Sequence, residues 1–120
     1  MSTSRRELVL AGLGLAVLGG RPAVAHHGWG GYDAGTVLTL TGPVREVYFG
    51  NPHCTVVVEA EGKAWTCVLA PLSRMTNRGL PDGSIKVGDT VTLVGYPHRS
   101  EAAELRAERI TVAGRTVELR

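Results

Sequence analysis

The chain has 120 residues, 13 of them Lys or Arg and 11 Asp or Glu, for a formal net charge of +2. That length suits one small domain, and two cysteines are too few for a disulfide-stapled scaffold. The small net charge gives no evidence for nucleic-acid binding.

Residues 1–25 read as an export signal. Arg5 and Arg6 give a positive start, residues 8–18 form an apolar run, and Ala23-Val24-Ala25 supplies the small residues that a signal peptidase accepts. The run is shorter than the ~20 residues of a membrane span. No later stretch is apolar enough to cross a bilayer, so the processed chain is expected to keep no stable span. Ser4-Arg5-Arg6-Glu7-Leu8 also resembles the twin-arginine signal of bacteria. A Sec signal with two ordinary basic residues is the alternative. The expected partners are therefore the twin-arginine export machinery and a signal peptidase, and the expected location is the periplasm. Arg5, Arg6, Arg21 and Glu7 would leave with the signal, so the processed chain is balanced in charge. Its basic character belongs to the leader, and no nucleic-acid partner is expected.

Residues 26–36 form an N-terminal segment, and residues 37–120 read as one β domain of short runs cut by turn residues. The run 37–49 is interrupted at Gly42-Pro43, where a proline implies a bulge or bend. Asn51-Pro52 then turns the chain. Runs 54–60 and 63–69 flank Glu61-Gly62, a two-residue hairpin turn. That turn sets Val58 opposite Trp65, Val56 opposite Cys67 and Cys54 opposite Leu69, all on one face, with Thr55, Glu59, Lys63 and Thr66 on the other.

Residues 71–78 read as a short helix, with Pro71 in the first turn and Gly79 closing the end. Pro81-Asp82-Gly83-Ser84 and Val87-Gly88-Asp89 are turns, and 90–96 is a strand. Composition over 102–110 favours helix, but Ile110 to Val112 is strand-like. Three strands, a short helix and two strands is the order of an oligonucleotide/oligosaccharide-binding (OB) barrel, which a helix at 102–110 would leave unclosed. The expected fold is all-β: a small OB-like barrel of five to six strands with one short helix between strands three and four. Residues 116–119 add a terminal strand after Ala113-Gly114.

Several pieces together resemble a family of small exported bacterial proteins known as a domain of unknown function. They are His26-His27, Tyr32-Asp33, Leu40-Thr41-Gly42, Asn51-Pro52-His53, Trp65, Arg78-Gly79, Val87-Gly88-Asp89 and Gly95-Tyr96-Pro97. The resemblance spans most of the processed chain and implies export and a small β-barrel. The two cysteines and His98 depart from the pattern.

Cleavage after Ala25 would give His26 a free α-amine. That amine and its own imidazole can chelate one metal ion, with proton release from an amine of pKa about 7.7–8.0. His27 or His53 would supply a third nitrogen, with His98 as the alternative. Such a nitrogen-rich set suits copper(II), which heads the divalent affinity order. Adjacent histidines also serve as solvated residues near a chain end, and Asn51-Pro52-His53 also reads as plain turn chemistry. The loops after strands one and four border the usual ligand face of an OB barrel, which nominates Asn51 and Tyr96 as ligand-face residues. Cys54 and Cys67 sit diagonally, about 7–8 Å apart in that register. They would be a disulfide if the turn shifts, two buried thiols if it does not, or copper ligands.

No acids pair for glycoside chemistry, no nucleophile motif joins Ser, His and Asp, and no glycine pattern cradles phosphate. The expectation is a non-catalytic, exported, copper-binding OB-like protein. The alternative is a module that binds a small ligand or a protein partner, such as an accessory subunit of an exported oxidoreductase.

Overall fold

A computed structural model describes residues 28–120. The leader, its cleavage point, His26 and His27 lie outside the described residues. Residues 31–120 form one compact unit, and residues 28–30 belong to a separate one.

Six strands and one helix make up the compact unit. They are β1 (Leu38–Tyr48), β2 (Thr55–Ala60), β3 (Lys63–Val68), α1 (Leu72–Asn77), β4 (Thr90–Pro97), β5 (Glu104–Val112) and β6 (Arg115–Glu118). The sheet order is β3-β2-β1-β4-β5-β6, and a parallel pairing of β3 with β5 closes the first five strands into a barrel. This is the OB-like architecture with one added strand. The stretch whose composition favoured helix is β5, because closure requires a strand there to meet both β3 and β4.

The β2–β3 hairpin has the register expected from its turn. Val58 faces Trp65 and Val56 faces Cys67. Glu61 and Gly62 both have positive φ, +52° and +79°, the backbone of a type I′ turn that matches strand twist. Val56, Val58, Trp65 and Cys67 are buried, while Glu59, Lys63 and Thr66 are exposed. Beyond the hairpin, Cys54 N–H donates to Ala70 O and Leu69 N–H to Cys54 O, so two residues oppose one and the strand ends in a bulge.

Two glycines allow the sheet to curl. A Cβ on Gly42 would lie 1.8 Å from Glu59 O, and one on Gly95 would lie 2.1 Å from Arg106 O. Both sit beside register shifts, between Val44 and Glu46 on β1 and between Val94 and Gly95 on β4. Bulges with glycine at barrel corners bend strands without losing the ladder on either side. The proline in β1 thus accompanies a bulge within one continuous strand.

Inside, Leu40, Val44, Leu93, Leu105 and Ile110 are almost wholly buried, with Met75 plugging the barrel end from α1. Pro71 precedes the helix, and Gly79 (φ +94°) closes it. Among the described residues no helix is long and apolar enough to cross a membrane.

Candidate functional site

The chain enters the barrel through residues 31–36, which hydrogen bonds at Gly31, Tyr32, Asp33, Gly35 and Thr36 tie down. Asp33 N–H donates to Pro97 O (2.8 Å) and Arg99 N–H to Gly31 O (2.9 Å), forming a bridge between Tyr32 and His98 beyond the end of β4. Tyr32 is buried, and its hydroxyl donates to Glu104 Oε2 at 2.5 Å. Burial and this bond push the Tyr32 hydroxyl well above the ordinary phenol range. Asp33 then turns the chain into β1. Its carboxylate accepts from Gly35 N–H and Thr36 Oγ1, bonds that hold it below the usual carboxylate range. Tyr32 and Asp33 therefore act as an anchor followed by a corner.

His98 is part of the same lock. Its ring meets Tyr32 edge-on, with centroids 5.0 Å apart. Its Nδ1 lies 3.1 Å from Ser100 N and 2.9 Å from Glu101 N. Backbone N–H groups only donate, so Nδ1 is the acceptor and the neutral ring carries its proton on Nε2. A histidine that binds a metal normally donates its other ring N–H to an acceptor. His98 is in the opposite arrangement, with its lone pair already committed to the β4–β5 loop.

His53 stands half-buried at the start of β2, after the cis Asn51-Pro52 peptide, with its Nδ1 buried. The neighbouring Cys54 N–H bonds to Ala70 O, which places His53 beside the junction of β3 and α1. Across the sheet, His98 aligns with the row through Glu104, Thr66 and Val57. The two histidines are thus three strands and four residues apart in the unrolled sheet. Among the described residues no three His, Cys, Asp or Glu side chains gather into a metal group.

The two ligand-face candidates are not brought together. Asn51 is exposed in the β1–β2 loop, where its carbonyl accepts from Tyr48 OH (2.8 Å). Tyr96 lies on β4 with its hydroxyl on Glu108 of β5, a bond that raises the phenol. Cys54 and Cys67 are free, buried thiols. Burial raises both, Cys67 to about 12. They remain diagonal, as the unshifted turn requires.

Sequence reasoning missed the arginines around α1. Arg74 Nη1 donates to Leu119 O (3.2 Å), Arg78 Nη1 to Glu118 O (2.6 Å) and Arg115 Nη1 to Gly79 O (3.3 Å). They pin the helix to β6. Arg106 is buried between this group and Tyr32, and desolvation, Arg74 and Arg120 depress its basicity. Its place in β5 offered no signal, because the contacts that define it are remote in sequence.

Barrel, anchored leading segment and arginine-pinned helix together define a small closed OB-like domain. The chain belongs to the Family of unknown function (DUF6152), whose model matches residues 15–106. No curated protein sequence matches it. A solved crystal structure of TiaS in complex with a tRNA and ATP is similar at TM-score 0.50 and 18% identity over 74% of this chain and 20% of that one. A second, of TiaS with a tRNA, AMPCPP and agmatine, gives TM-score 0.48 and 18% identity over 68% and 19%. This chain spans about a fifth of the length of those proteins. At 18% identity the first of these likenesses shows the fold alone.

Proposed function

We propose that the protein is exported to the periplasm by the twin-arginine route, trimmed after Ala25, and binds copper(II) without catalysing a reaction. The α-amine and imidazole of His26 form the chelate, and His27 or His53 adds a third nitrogen. The observation that carries this reading is the lock at Tyr32 and Asp33. A chain starting at His26 has only residues 26–30 before the anchored Gly31, a reach of roughly 16–18 Å. A short tether limits the conformational freedom that the chelating end must lose when it binds. Copper follows from the nitrogen donors and from its place in the affinity order.

The test is a copper(II) titration against a competing chelator, using protein that begins at His26 and the same protein extended by Gly-Ser. The extension removes the chelating amine and should weaken binding by about 100-fold, or ~2.7 kcal/mol. Equal affinities overturn the chelate. An intact mass of exported protein showing a first residue other than His26 overturns it independently.

A further inference from the structure

The outer edge of β6 points to a second function. The register of β5 and β6, extended by the Leu119 N–H to Glu108 O bond, makes 119/108, 117/110 and 115/112 the hydrogen-bonded pairs. Thr116 and Glu118 therefore aim their backbone groups away from β5. Glu118 O is capped by Arg78, which leaves Thr116 N–H, Thr116 O and Glu118 N–H facing outward. Such an edge is a template for another strand.

The charge beside that edge is mainly positive. Arg74, Arg78 and Arg115 touch only backbone carbonyls, and among the described residues none of the three makes an ion pair. The bordering carboxylates are engaged elsewhere, since Arg109 holds Glu118 at 3.0 Å and Glu108 at 3.7 Å. A guanidinium offers five donors in a planar fork, and the carbonyls use only one or two of them on each arginine.

We propose that β6 is a docking edge for an extended, carboxylate-rich segment of a partner protein. The added strand bonds to Thr116 and Glu118, and its acidic side chains meet Arg78 and Arg115. This inference is independent of the metal reading.

The probe is an eight-residue peptide of alternating Val and Glu, titrated into the full processed chain with backbone amide shifts followed by NMR. Shifts centred on Thr116 and Glu118, and binding weakened by added salt, are expected. Arg115→Glu should weaken binding at least tenfold. Thr116→Pro removes an outward N–H unused by the fold and should do the same with every charge intact, because proline is tolerated on a solvent-facing edge. The idea is overturned if the peptide does not bind, if a Val-Lys peptide binds equally, or if shifts fall elsewhere. Binding of phosphate, single-stranded DNA or anionic vesicles that survives Thr116→Pro, with no selective binding of the Val-Glu peptide, also overturns it.

Discussion

Tyr32→Phe tests the lock on the leading segment with minimal change in shape. The ring keeps its buried place and its edge-on contact with His98, while the hydroxyl that donates to Glu104 Oε2 at 2.5 Å is lost. A hydrogen bond to a charged group contributes about 1.5–3 kcal/mol. If the segment unfolds together with the barrel, that corresponds to a fall in Tm of roughly 6–24 °C for a domain of this size. If it undocks first, the loss appears as faster hydrogen exchange at Asp33 and Arg99, whose amides bond across the bridge. The pH dependence has a definite sign. The folded hydroxyl titrates above the unfolded phenol, so its stabilisation is complete below pH ~10 and is lost as pH rises beyond it. Denaturant melts of wild type should weaken above pH ~10, and Tyr32→Phe should show a shallower decline. A double-mutant cycle with Glu104→Gln isolates the pair. A coupling under about 0.5 kcal/mol, well below that range for a charge-assisted bond, with exchange at Asp33 and Arg99 unchanged, would refute the assignment.

Gly42→Ala forces a methyl group into Glu59 O and should cost about 3 kcal/mol or more, whereas Gly62→Ala meets only open space and should cost about 1 kcal/mol in urea melts. Cys67 should resist a disulfide-exchange reagent at pH 8 in the native state and react once the protein is unfolded, because its thiol is buried and pushed up to about 12. Nitrogen NMR of the His98 ring should show the Nε2–H tautomer, and His53→Ala should lower copper affinity about tenfold if His53 supplies the third nitrogen.

Local chemistry made much of the barrel legible. Glu61-Gly62 sets a turn, the turn sets a register, and the register puts Val56, Val58, Trp65 and Cys67 on one face. The strand at β5 was legible only through architecture, since its Glu, Ala, Leu and Arg lean toward helix and barrel closure outweighs them. Tyr32 and Glu104 were not legible as a pair. They are 72 positions apart, and neither side chain announces a partner. His98 shows the same limit in sharper form, because a histidine in a loop looks available until the backbone around it occupies Nδ1.

The structure also divides the motifs by what they do. Gly42 and Gly95 let backbones approach, Arg78 and Gly79 close and pin α1, and Val87-Gly88-Asp89 stitches its loop to Val44 through Gly88 N–H and Asp89 O. Tyr32-Asp33 and Pro97 are two halves of one lock, since Asp33 N–H bonds to Pro97 O. Each of these has a mechanical role that would be needed whatever the protein binds. Asn51-Pro52-His53 turns the chain toward β2, with Asn51 O accepting from Tyr48 OH. His26 and His27 lie outside the described residues. The copper titration at a chain starting with His26, together with His53→Ala, therefore tests the proposed function away from the residues that hold the lock, the bulges and α1.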